Sequence, residues 1–254
     1  MPLFMDGAIS NIEDLIARDS QLLEVATVEG IDLTRKLIVA QEEIGLELIT
    51  FLNRLHFVDQ PFWVTAQPSL NDVVVTTSLK LWHIYRALEM FYTDAFSSQL
   101  NDRYAAKRDQ FHEAAQQACE KLIQIGIGVA SRPVPRAKPP LVTAISGSLP
   151  DGTYYVTMEW LNSVGEAGTS AVPTVITLTA STFQVEPPAA PPIATSWNVF
   201  AGHAPEGMVL QNSSAIPAGE LWAQTTELLQ SGKGPGQGQE PNYFKPIPRV
   251  LPRG

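Results

Sequence analysis

At 254 residues with 44% apolar side chains, the chain supplies core for one or two small domains. A net charge of −9 at pH 7 excludes a general nucleic-acid binder that works by neutralising phosphates, and the single cysteine, Cys119, excludes an internal disulfide framework. The lone thiol suits a reducing cytoplasm. Met1–Met5 is apolar but short, carries no Lys or Arg and runs into Asp6, so no signal peptide is expected. No run of 18 apolar residues exists, so no membrane span is expected.

Residues 1–130 read as a helical domain. Ser10-Asn11-Ile12-Glu13 has the form of a capping box, which predicts a short helix from Asn11. Ser20 caps a second short helix holding Leu22, Leu23 and Val25, and Gly30 stops it. Asp32 is the N-cap of a long helix to about Leu55, whose apolar stripe is Leu37, Ile44, Leu48, Phe51, Leu52 and Leu55. Glu43 and Glu47, with Arg54 further on, read as a solvated or subunit-facing edge in preference to a catalytic carboxylate pair. Residues 56–75 form a connection punctuated by Pro61 and Pro68. A third helix from about Thr76 to Phe96 carries two adjacent stripes, Leu81, Ile84, Leu88, Phe91, Ala95 and Trp82, Tyr85, Tyr92, Phe96. Such a helix is buried on more than one side. A fourth helix runs from about Asp102 to Ile125 on Tyr104, Phe111, Ala115, Ala118 and Leu122, with Gly126 as its stop. Together these make a small up-and-down bundle. His56, His83 and His112 have no second histidine at i+3 or i+4, so no metal site is predicted; Cys119 reads as a small core residue.

Residues 131–140 hold four prolines, which fix φ and remove donors, and read as a hinge. Residues 141–227 then read as about seven short strands: Leu141–Ile145, Thr153–Trp160, Val175–Thr179, Phe183–Val185, Trp197–Ala201, Met208–Asn212 and Leu221–Gln224. The predicted fold class is therefore α+β and multidomain, an N-terminal helical bundle followed by a β-sandwich and an extended C-terminal arm. Trp160, Trp197 and Trp222 read as core or sheet-face residues in preference to a sugar platform.

Residues 228–254 read as a tail. Ser231–Gln239 is glycine-rich and apolar-free, the composition of a flexible tether, and lacks the G-x-x-x-x-G-K-[ST] of a phosphate loop. Its end, with Tyr243, Phe244, Lys245, Ile247, Arg249, Val250, Leu251 and Arg253 between prolines, suits an extended segment that docks in a groove on a partner. Charge supports this. Residues 1–130 hold 18 acidic and 10 basic side chains, residues 140–227 hold seven acidic and no basic ones, and the tail holds Lys233, Lys245, Arg249 and Arg253 against Glu240. A basic tail on an acidic body suits an acidic neighbour, a second copy included.

Asp151-Gly152-Thr153-Tyr154-Tyr155-Val156, then Gly165-Glu166-Ala167-Gly168 with Ser170, then Trp197-Asn198-Val199-Phe200 together resemble the fibronectin type III pattern, with Phe200 where tyrosine is usual. The helical half resembles the head-to-tail connector (adaptor) proteins of tailed bacteriophages. The resemblance rests on Leu46-Glu47-Leu48, on Leu81-Trp82-His83 with Tyr92, on Asn101-Asp102-Arg103-Tyr104-Ala105-Ala106-Lys107-Arg108, and on Gly126-Ile127-Gly128-Val129 leading into the proline hinge. It implies a structural virion protein of the neck, assembled in the bacterial host cytoplasm. It further implies a homo-oligomeric ring, commonly of twelve copies, that joins portal to tail and neck proteins. Such a protein has no enzymatic activity and no cofactor, and lets DNA pass through an acidic channel without sticking. Two other readings stand beside it. One is a tail, baseplate or fibre protein whose sandwich binds a host surface or glycan. The other is an enzyme with an accessory sandwich, for which no Ser/His/Asp set or metal cluster is visible.

Overall fold

The computed structural model describes residues 1–54, 68–99 and 102–247. The chain is mixed α+β, with helices first and β sheets after them. It divides into two compact units. One is Gly7–Val129 with the chain from Pro241 on; the other is Met1–Asp6 with Ala130–Glu240.

In the helical unit, α1 (Ile12–Ile16) starts one residue later than its Ser10 signal suggests. Asn11 is the cap: its Oδ1 accepts from the Asp14 amide at 2.9 Å while Asp14 accepts from the Asn11 amide at 3.0 Å. Ser10 is drawn inward instead, to His83. Likewise α2 (Leu22–Glu29) has no side-chain cap from Ser20; Asp19 takes the Gln21 amide. Gly30 ends α2 at φ 66°, as a C-terminal glycine should. Asp32 caps α3 (Leu33–Arg54), accepting from the amides of Thr34 and Arg35. α4 (Thr77–Gln99) is central. Its Ile84, Ala87, Leu88, Phe91, Tyr92 and Ala95 share one core with Leu15, Leu22, Leu37 and Ala40 on one side and with Tyr104 and Phe111 on the other. α4 packs against both α3 and α5, which is why the helix is apolar over so much of its circumference. Tyr92 stacks on Phe111 with ring centres 5.4 Å apart, tying α4 to α5 (Ala105–Ile125).

Past α5 the chain turns at Gly126, φ 97°, into a short strand, β1 (Ile127–Val129). Its partner is β10 (Tyr243–Lys245), antiparallel, with Val129 opposite Tyr243 and Ile127 opposite Lys245. On its other side Val129 bridges Val73.

The β unit has a three-stranded sheet in the order β2 (Leu141–Ser146), β5 (Ser181–Glu186), β9 (Trp222–Ala223). A second sheet runs β4 (Thr174–Leu178), β3 (Gly152–Asn162), β6 (Ala194–Gly202), β7 (Val209–Leu210), and β8 (Ile216–Pro217) also pairs with β6. All pairings are antiparallel. Tyr154, Val156, Met158 and Trp160 alternate along β3 into one core, where they meet Phe183 and Val185 of the other sheet and Trp197 and Val199 of β6. Trp160 and Trp197 are buried, each removing some 150–250 Å² from water, roughly 4–6 kcal/mol at about 25 cal/mol per Å². Residues 131–140, expected as a hinge, place Val134 and Ala137 in this same core.

Candidate assembly surfaces

The predicted docking residues divide at Ile247. Tyr243, Phe244 and Lys245 lie in β10, and Ile247 is buried. Tyr243 and Phe244 nonetheless keep 44% and 47% of their surface exposed. The ladder holds their backbone while the rings face outward. Burial, then the charge of Asp72, raises the Tyr243 hydroxyl above its ordinary value, so it is a neutral donor at physiological pH. Arg249, Val250, Leu251 and Arg253 lie outside the described residues, as do His56 and Leu55. The glycine-rich stretch 231–239 runs against the β unit. Gly236 donates its amide to Glu159 at 2.9 Å, Lys233 reaches the same carboxylate at 3.4 Å, and Gln239 accepts from the Val134 amide at 2.6 Å. A methyl group on Gly236 would lie 2.4 Å from Glu159 Oε2, so only glycine lets the backbone come this close. Glu159 itself is fully buried on the face of β3 opposite Trp160, and Asn198 supplies its third hydrogen bond at 3.0 Å.

In the helical unit, a groove of about 530 Å³ runs between α3, α4 and α5. Its polar wall is a chain of bonds. The Arg86 guanidinium forks onto Glu43 at 2.6 and 2.9 Å and onto Glu89 at 2.7 Å; Glu89 accepts from His112 Nδ1 at 2.7 Å, and His112 Nε2 faces the Gln116 amide at 2.8 Å. Burial works against the Arg86 charge, but the two carboxylates outweigh it and raise its pKa. Glu43 keeps 42% of its side chain exposed, as expected of a solvated edge, and is in addition held across helices by Arg86, a pair no local spacing announces. Glu47 leaves the wall net negative, and Ile44, Trp82 and Ala115 give it an apolar floor. Cys119 also lines the groove. Burial, with Glu47 and Glu120, pushes its thiol up to about 11, so it is protonated at neutral pH, the reverse of an activated nucleophile. On the outer side of α3, Ile38, Leu46 and Ile49 recur at helical spacing and are exposed, Leu46 by 67%.

Two polar sites inside the helical unit hold α1 and α2 to the long helices. His83 is buried, with Nε2–H donating to the Leu37 carbonyl at 3.0 Å and Nδ1 accepting from Ser10 at 2.7 Å. Burial lowers its pKa below 6.5, against the Leu37 bond and Asp14, and keeps it neutral. Asp19, on the loop between α1 and α2, accepts from Tyr92 at 2.5 Å, Lys107 at 2.8 Å and the Gln21 amide at 3.2 Å. Burial alone would raise the Asp19 carboxyl, but these three donors hold it below its usual range. Among the described residues no group of three or more His, Cys, Asp or Glu is placed to hold a metal, and no helix is long and apolar enough to cross a membrane.

No protein-family model matches the chain, and no curated protein is significantly similar to it.

Proposed function

We propose that this protein is a structural component of a tailed-phage neck, a head-tail connector whose helical unit packs side by side with further copies to join portal and tail. The observation that carries the reading is apolar surface left uncovered on rigid elements: Ile38, Leu46 and Ile49 along α3, and Tyr243 and Phe244 on β10. Side chains of this kind, held on a helix and a strand, suit broad contacts between protein copies. In this reading the α3 stripe faces the neighbouring copy, and the two β10 rings, with Lys245, meet the portal or a tail protein. Acidic helices around a channel would let DNA slide through. The β unit is a fibronectin type III-like sandwich carried as a projecting module; its shared core around Trp160 and Trp197 supports that assignment.

The test is electron microscopy of the purified protein, alone and with tail-less heads. Closed rings, or rings on the heads, are expected. The double substitution Leu46→Asp with Ile49→Asp should leave the helical signal of the monomer unchanged and abolish the ring. Unassembled monomers under both conditions would end the proposal.

A further inference from the structure

A second groove, of about 320 Å³, lies between α4 and α5 alone. Leu81 and Tyr85 form one wall, and Ala114, Ala118, Lys121 and Ile125 form the other. No carboxylate lines it, Lys121 is exposed, and Arg18 lies 5.9 Å over the Tyr85 ring, so the groove is positive. It also turns away from α3: at 3.6 residues per turn its α5 residues lie about 180° from His112, Gln116 and Cys119, which line the acidic groove. On α3, Ile38, Glu42, Leu46 and Ile49 follow one another at helical spacing as a single exposed ridge, on the side opposite the buried Leu37, Ile44 and Leu48. Among the described residues neither Glu42 nor Lys121 has an ion-pair partner.

We propose that the α3 ridge of one copy lies antiparallel to α5 in the α4–α5 groove of the next copy, with Glu42 against Lys121. Charge is the first argument. The ridge is apolar with one carboxylate inside it and Glu43 and Glu47 on its flank, and the groove is apolar with one ammonium inside it. Length is the second. The helical rise from Ile38 to Ile49 equals that from Ala114 to Ile125, about 17 Å each. Register is the third. Glu42 stands one turn in from Ile38, and Lys121 one turn in from Ile125, so the antiparallel arrangement pairs the charges while Ile38 meets Ile125 and Leu46 meets Tyr85 and Ala118. The parallel arrangement would set Lys121 against Leu46 and Ile49. Because the groove turns away from α3, a copy cannot fill its own groove. Each copy gives a ridge on one side and takes a ridge on the other, a head-to-tail contact that closes into a ring or continues as a filament. This inference rests on the assembly reading above and names the surface that the α3 stripe meets.

Charge exchange in the full-length protein tests it, read by sedimentation velocity over a concentration series. Glu42→Lys and Lys121→Glu should each weaken self-association roughly tenfold or more. The double variant, and an equal mixture of the two single variants, should both recover it to within about threefold of wild type, since each restores opposite charges across the contact. Both positions are exposed, and unchanged circular dichroism confirms that the variants fold. A second readout fixes the register. In a Cys119→Ser background, Ile38→Cys with Ile125→Cys should give a ladder of disulfide-linked multimers on a non-reducing gel, and Ile49→Cys with Ile125→Cys should not, because a disulfide needs Cα atoms within about 7 Å. Wild-type association that ignores both charge exchanges, a loss that neither the double variant nor the mixture restores, or a ladder from the Ile49→Cys pair instead, overturns this inference and leaves the ring standing. A wild type that stays monomeric, alone and with tail-less heads, overturns both.

Discussion

Removing the Asp19 carboxylate should loosen α1 and α2 from the rest of the helical unit. Its side chain is 3% exposed and collects two side-chain donors from two other helices. In Asp19→Ala the Tyr92 hydroxyl stays buried without its acceptor, at a cost of about 1–3 kcal/mol. Lys107 is 36% exposed and rehydrates, so its part is discounted to under about 1 kcal/mol. The total is about 1–4 kcal/mol. Tyr92→Phe alone removes only the donor and should cost about 1 kcal/mol. In the double variant the second change should cost almost nothing, leaving a coupling of about 1 kcal/mol or more. Urea unfolding followed by far-ultraviolet circular dichroism measures all four species. The pH dependence has a defined sign. The folded pKa of Asp19 lies below the unfolded value of 3.8, so its contribution is complete above 3.8 and lost as pH falls through the folded value. Wild type and Asp19→Asn should therefore converge in strong acid. A coupling below about 0.5 kcal/mol, or a gap that persists in acid, would refute the reasoning.

Three further outcomes follow from single sites. Gly126→Ala combines a backbone angle reserved for glycine with a methyl 2.7 Å from the Lys245 carbonyl, so it should cost about 2 kcal/mol or more; amide exchange at Tyr243–Lys245 should speed up, and unchanged protection would count against the account. Glu159→Gln weakens the bond from the Gly236 amide by about 1–2 kcal/mol, and trypsin should cut after Lys233 faster; an unaltered rate would show that other contacts hold the segment. The folded pKa of His83 is below 6.5, so its contribution is present above 6.5 and lost as pH falls below it. Lowering the pH of a urea midpoint series from about 7.5 to about 5 should destabilise wild type more than His83→Gln, and parallel curves would exclude the buried histidine as the cause.

Helix positions were legible because period 3.6 runs through long stretches, as in Ile84, Leu88, Phe91 and Ala95. The exact caps were not, since Ser10 and Asn11 both satisfy the local rule and only His83, distant in sequence, claims the serine. β3 was legible from its alternation, yet alternation sends Glu159 to water; the glycine-rich segment that covers it is far along the chain. β10 was hidden for the same reason. Three residues carry no period, and the partner that makes them a strand is β1, on the other side of the β unit in sequence. At the candidate site, the exposed rings of Tyr243 and Phe244 were visible as composition, whereas the Glu43–Arg86–Glu89–His112 chain joins three helices and no spacing encodes it.

The β1–β10 ladder also says something about how such a chain can be edited. Val129 accepts a hydrogen bond from the Asn242 amide at 2.9 Å, so the two strand ends flanking residues 130–240 are already neighbours. Seen genetically, the whole sheet-bearing stretch is an insert spliced into what would otherwise be the loop of a small hairpin. A gene that loses it in frame, with two or three turn residues sewn in its place, should still encode a sound helical body. Lineages could therefore gain, drop or exchange the insert without rebuilding its host.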